Sequence, residues 1–264
     1  MGFAPMAEVA RASWRRCPRL ACEPDIQLLK ETHVSVESIK MLSSMATREV
    51  LSRLAAAYAE IPGSPLVQLE SAGGVDVARR VQSGEAVDIV VLASAAIDQL
   101  MAGGQLREGS RVDLVRSGMA VAVKLGGPRP DISSEAALRK AILTARSLGY
   151  STGPSGNHLV KLFEGWGIKG QIASRVVQAP AGVPVAALVA RGDAELGFQQ
   201  LSELLHMPGV EVLGPMPGET QSITTFSAAV SATCTRAPEV RALLEFLASS
   251  EANAIKREQG LEPA

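Results

Sequence analysis

From Val36 onward, apolar and polar positions alternate between two periods. Ile39 to Leu42 reads as a short strand. "ATREVLSRLAAAYAE" repeats apolar residues at Val50, Leu51, Leu54 and Tyr58, which share one face of a helix. "PLVQLES" is a second strand, and "VDVARRVQSG" a helix stopped by Gly84. "DIVVLAS" is a nearly continuous apolar run of strand length, as expected of a strand covered on both faces. "AIDQLMAGG" then reads as a helix with a glycine stop.

The second half continues in the same way. "MAVAVKL" is a strand, "SSEAALRKAILTA" a helix opened by serines, and "SLGYST" a strand. In "GPSGNHLVKLFEGWGI" a small polar turn runs into an amphipathic helix with Leu159, Leu162, Phe163 and Trp166 on one face, Ser155 being the expected N-cap. "SRVVQ", "AELGF" and "TTFSAAVSAT" are strands, and "PVAALVARG" is a helix capped by Gly192. "PEVRALLEFLASSEANAIKREQG" closes the chain as a helix with Val240, Leu243, Leu244 and Leu247 as its buried stripe.

Strands alternating with helices imply βαβ units, right-handed crossovers and an α/β fold with mainly parallel sheets. Ligands of such sheets bind beyond the carboxyl ends of the strands. The turns there are "SSMAT", "ESAGGVD", "LASAA", "STGPSGNH" and "PAGVPV". Nearly all are rich in Ser, Gly and Ala, residues that let backbone N–H groups at helix starts approach a compact anion.

Composition narrows the options. A net charge of −1 on 264 residues leaves no electrostatic footprint for nucleic acid, and no apolar run is long enough to insert in a membrane. Residues 1–37 form an irregular leader with Arg11, Arg15, Arg16 and Arg19 but no apolar stretch of a secretory signal. A cytoplasmic location follows from that, or a periplasmic one if the natural precursor starts differently. Cys17, Cys22 and Cys234 make no disulfide framework, although Cys17 and Cys22 could pair, and His33, His158 and His206 are scattered, so neither a metal nor a cofactor is expected. Gly153-Pro154-Ser155-Gly156 is not a nucleophile elbow, because glycine follows the serine directly. No phosphate-binding G-x-x-x-x-G-K-[ST] and no dinucleotide G-x-G-x-x-G after a strand occur.

From Ser38 to Gly260 the chain resembles the molybdate-binding branch of the type 2 periplasmic binding proteins, a branch with a subgroup that includes aconitate isomerase. The matching stretches are "SSMATREVLSRLAAAY", "SAGGVDVARRVQSGEAVDIVVLASAAIDQL", "AALVARGDAELGFQQLSELL" and "ALLEFLASSEANAIKREQG". The resemblance implies two α/β lobes, 38–117 with 227–264 and 118–226, joined by crossings near Ser117 and Phe226 with the ligand between them. It places ligand contacts at Ser44, at Ser71 with Gly73 and Gly74, and at Ser155, Gly156 and Asn157. It also makes Val183 a backbone N–H donor at the start of a helix. Two departures fall in the same cleft: Phe198-Gln199-Gln200 stands where the molybdate binders carry a tyrosine, and "GPSGNH" replaces their third loop. Gln199 and Gln200 would supply amide donors to a carboxylate.

Two functions remain open. The first is a monomeric solute-binding protein for a small anion, an oxoanion such as molybdate or an organic di- or tricarboxylate, working with an ABC transporter permease. The alternative is an isomerase interconverting cis- and trans-aconitate. That chemistry needs a proton acceptor of near-neutral pKa, and His158 is the histidine at a cleft turn.

Overall fold

The computed structural model describes residues 38–180 and 182–264. The leader, with its arginines, Cys17, Cys22 and His33, lies outside the described residues.

The chain opens with strand β1 (Ile39–Ser44), a 3-10 turn over Met45–Thr47 and helix α1 (Arg48–Ala59). Then come β2 (Val67–Ala72), α2 (Gly74–Gln82), β3 (Ile89–Ala93) and α3 (Ser94–Ala102). The long strand β4 (Val112–Lys124) leads to α4 (Glu135–Thr144), β5 (Leu148–Tyr150), α5 (Pro154–Gly165) and the short α6 (Lys169–Ile172). β6 (Val176–Gln178), α7 (Val185–Arg191), β7 (Leu196–Gln200), α8 (Leu201–Leu204) and β8 (Val210–Pro215) follow. The chain ends with β9 (Ile223–Val230), α9 (Ala237–Ala248), α10 (Asn253–Glu258) and β10 (Glu262–Pro263).

These elements build two lobes around two sheets that share β4. In lobe one β1 pairs in parallel with β2 and β3, and β9 runs antiparallel between β3 and the first half of β4. In lobe two β5 pairs in parallel with β6 and β7, while β7 and β8 run antiparallel to the second half of β4. The outer strands are parallel, as βαβ units require, and the strands next to the lobe junction are antiparallel. β4 exchanges one set of partners for the other between Gly118 and Met119.

The apolar run of β3 explains its own burial. Ile89 and Val91 enter one core with Leu51, Leu54 and Leu243, whereas Val90 and Leu92 enter another with Val77 and Ile97. β4 does the same in lobe two: Met119, Val121 and Val123 face one core, and Ala120 and Ala122 the other. Each sheet is therefore covered on both faces, which fixes register through side-chain alternation.

Several elements differ from the sequence expectation, among them the short α6, α8 and β10, which no sequence pattern announced. The closing helix is two helices, broken where Ser249 turns extended at ψ 161°. β4 begins well before "MAVAVKL", because Val112 to Gly118 pair with β9 despite their mixed polarity. β8, half-buried from Val210 to Gly214 and exposed at Pro215, has no alternation strong enough to announce it.

Candidate functional site

The carboxyl ends of β1, β2, β3, β5, β6 and β7 lead into a cleft of about 600 Å³ between the lobes. From lobe one it is lined by Ser44, Gly73, Gly74 and Ala95, with Arg79, Gln82 and Gln99 further along the helices, and Phe226 lines it at the crossing between the lobes. Lobe two contributes Thr152, Ser155, Asn157, Val183, Gln199, Gln200 and Glu203. The two walls meet closely at one edge, where a Cβ built on Gly73 would lie 3.8 Å from the Gly182 nitrogen.

Helix starts supply positive potential. Gly74 and Val75 of α2, Ala95 and Ala96 of α3, and Pro154 and Ser155 of α5 are all first-turn residues on the cleft lining. First-turn N–H groups have no partner within their own helix and carry the positive end of its dipole. Arg79 adds a guanidinium, 74% exposed and paired with Asp76 at 2.6 Å. An anion entering the cleft meets donors from both lobes.

Of the residues expected from sequence, Ser44, Gly73, Gly74, Ser155, Asn157, Val183, Gln199 and Gln200 come together on the lining. Ser71 and Gly156 do not. The Ser71 hydroxyl lies 2.7 Å from that of Ser43, its register partner across β1 and β2. Gly156 serves packing: a Cβ there would overlap the Ser151 carbonyl oxygen, so only glycine lets α5 start this close to the preceding turn.

Several assigned donors are also committed elsewhere. Ser155 is not the N-cap of α5. Gly153 takes that position and Pro154 opens the helix, as proline's fixed φ favours. The buried Ser155 hydroxyl instead meets Ser151 Oγ at 3.0 Å. The Val183 N–H donates to Pro180 O at 3.0 Å, and α7 starts two residues later. The amides of Gln199 and Gln200 donate not to open space but to Glu203 Oε2 at 2.6 Å and to Thr224 Oγ1 at 2.8 Å. His158, the expected base, is absent from the lining. Its Nε2 lies 2.9 Å from the Thr220 carbonyl oxygen, which makes Nε2 the protonated nitrogen.

The two charged lining residues, Arg79 and Glu203, escaped the sequence reading. Glu203 is half-buried, and burial pushes its carboxyl up to about 7, opposed only by the hydrogen bond from Gln199. Gln199 itself is held: the Val185 N–H donates to its Oε1 at 2.9 Å, so its NH2 must face Glu203. The four-residue spacing in "QQLSE" was the available signal, one turn past a strand end. Gln200 Oε1, closed off from solvent behind the same wall, has no hydrogen-bond partner among the described residues. Among the described residues no cluster of acidic, His or Cys side chains could hold a metal, and no helix is long and apolar enough to cross a membrane.

A family profile described as bacterial extracellular solute-binding protein matches residues 39–262. The chain belongs to this family. An aconitate isomerase from Pseudomonas sp is 36% identical over 233 residues, covering 86% of this chain and 88% of that one. The solved periplasmic molybdate-binding protein of Azotobacter vinelandii superposes with a TM-score of 0.69 at 17% identity, over 85% of this chain and 98% of its own. The sulfate-binding protein SubI from Mycobacterium tuberculosis H37Rv gives 0.69 at 17% identity, covering 86% and 87%. At such identities these two structures speak for the type 2 periplasmic binding protein fold alone.

Proposed function

We propose that the cleft binds an organic tricarboxylate of the aconitate class and interconverts its cis and trans forms. The observation that carries this reading is the lobe-two wall, where the carboxyl of Glu203 lines a cleft of about 600 Å³. A tetrahedral dianion needs only a small cage of neutral donors, whereas interconverting aconitate isomers needs a group on the wall that can take and return a proton. A tricarboxylate is large enough to engage helix starts from both lobes while its carbon skeleton lies against the lobe-two wall. The 36% identity to an aconitate isomerase supports the same ligand class.

In this reading the lobes are 38–117 with 227–264 and 118–226, and they close about the crossings near Ser117 and Phe226. Small-angle scattering should then give a smaller radius of gyration with saturating ligand.

A thermal-shift panel of molybdate, tungstate, sulfate, citrate, cis-aconitate and trans-aconitate, paired with chromatography of the aconitate isomers, tests the proposal. A ligand at 100 times its Kd stabilises by about 2.7 kcal/mol. Stabilisation by the aconitates with turnover of cis-aconitate is expected. Stabilisation by molybdate alone would return the chain to the second reading, an oxoanion-binding protein serving a permease. That reading is favoured by Ser44, Gly73 and Gly74, which line the cleft where the resemblance places oxoanion contacts.

A further inference from the structure

Glu203 is the one acidic residue among those lining the cleft. Asp76, off the lining, is paired with the lining residue Arg79. Glu203 makes no ion pair among the described residues; its one hydrogen bond comes from a neutral amide. A glutamine at this position could accept that same bond without the cost of a buried carboxylate. A carboxyl kept under these conditions in a ligand cleft has the signature of a proton-transfer group.

Its placement is also rigid. The backbone N–H of Val185 pins Gln199 Oε1, and Gln199 Nε2 pins Glu203 Oε2, so the chain of bonds runs from the start of α7 through the end of β7 to α8. From the other side, Ser202 Oγ donates to Ala46 O at 2.8 Å, fastening α8 to lobe one. The Oε1 of Glu203 receives no bond among the described residues, leaving one carboxyl oxygen for a ligand.

Resting on the aconitate reading above, we propose that Glu203 is the catalytic residue that moves the proton. Its carboxylate takes a proton from the methylene carbon of bound cis-aconitate, and that C–H electron pair delocalises over the three-carbon unit and its carboxylates. The protonated Glu203 then delivers the proton to the carbon at the far end of that unit, the former vinyl carbon. One C–H bond breaks, one forms and the double bond moves across; nothing is oxidised or reduced. The N-terminal turns of α2, α3 and α5 hold the carboxylates on which the added charge spreads. Gln199 is a positioning residue in this scheme, and His158, bonded to Thr220 O outside the lining, takes no part.

A carboxyl brought to about 7 by burial is suited to accept and return a proton near neutral pH. Elements packed on α8 carry few charges of their own: Asp113, Arg116 and Lys124 on β4, Arg191 on α7 and Glu211 on β8. Arg191 pairs with Asp193, Glu211 with Arg129 and Asp113 with Arg111. The base limb of the wild-type rate should therefore report Glu203, with activity rising as pH rises through about 7.

The test compares wild type, Glu203→Gln and His158→Gln with cis-aconitate in D2O, reading trans-aconitate by chromatography and carbon-bound deuterium by NMR. Glu203→Gln should keep the ligand-induced thermal shift and lose about 10²–10⁴-fold in turnover and in deuterium exchange. His158→Gln should turn over at the wild-type rate. Turnover in Glu203→Gln within tenfold of wild type would overturn the assignment and leave the isomerase reading standing. Wild type that binds aconitate without turnover, or fails to bind it, would overturn that reading and this inference with it. Should Glu203→Gln not fold, the wild-type pH profile decides: a rate constant between pH 5.5 and 8.5, a span chosen about the ~7 expected for a tuned base, would overturn the proposal.

Discussion

The two walls of the cleft are built from different chemistry. Lobe one presents backbone: Gly73, Gly74, Ala95 and Ala96 expose the starts of α2 and α3, and among its polar groups Ser44 has only a long 3.4 Å contact to Thr47 Oγ1. Lobe two presents side chains already bonded to one another, Gln199 to Glu203 and Gln200 to Thr224. Backbone donors can grip any anion of suitable size, but they cannot move a proton. A side-chain network can, and it makes the second wall both more specialised and more fragile. On the proposed reading, lobe one and the start of α5 supply recognition, and the side chains of lobe two supply the chemistry.

The largest expected effect breaks the lobe-two network. Gln199→Leu leaves the Val185 N–H and the Glu203 carboxyl without their buried partners. Each stranded group costs about 1–3 kcal/mol, so urea unfolding should show a loss of roughly 2–6 kcal/mol. A lobe-one change such as Ser44→Ala should cost less than about 1 kcal/mol by the same measurement. Equal losses would erase the contrast between the walls.

A second prediction concerns pH. The Glu203 carboxyl has an ordinary value of 4.5 and is pushed up to about 7 in the folded protein. Between those two values the folded state holds more protons than the unfolded state, so stability falls as pH rises from 4.5 to about 7 and levels off above. The shift corresponds to about 3 kcal/mol at most for this group. Glu203→Gln should remove that slope and be the more stable protein at pH 8, as thermal melts of the two forms across the pH range would show. A mutant less stable than wild type at pH 8 would contradict the burial of an uncompensated charge.

Affinity sharpens the comparison on the lobe-one side. Ser44→Ala should weaken tricarboxylate binding about tenfold or more by calorimetry, since a hydrogen bond to a charged group contributes about 1.5–3 kcal/mol. Ser71→Ala should leave affinity unchanged, because its hydroxyl is spent on Ser43, and should cost only about 0.5–1.5 kcal/mol of stability. If the two alanine variants lose affinity equally, the lobe-one contacts extend beyond the lining described above.

Much of the fold was legible in the chain because hydrophobic periodicity is a local signal. Val50, Leu51, Leu54 and Tyr58 are buried on one face of α1, and "DIVVLAS" is a strand buried on both faces, as their patterns imply. The cleft was legible in outline for a similar reason. Small polar residues collect where strands end and helices begin, and the resemblance together with the Gln199-Gln200 departure from it named eight residues that lie on the lining.

What each of those residues does there was settled only in three dimensions. The Gln199 amide reads as a free donor in sequence, yet its oxygen is taken by an N–H 14 positions away and its nitrogen by Glu203. His158 lies three residues beyond Ser155 and still turns to Thr220, 62 positions away, because that neighbouring carbonyl offers its ring a partner outside the cleft. Glu203 looks in sequence like any glutamate on a short helix; only the packing of α8 against both lobes desolvates it. Burial periods are properties of consecutive residues, so the sequence by itself determined most of the lobes' elements and the small-residue turns. Hydrogen-bond commitments and pKa values depend on which distant atoms meet and how much water they exclude, and the tertiary structure alone decided those.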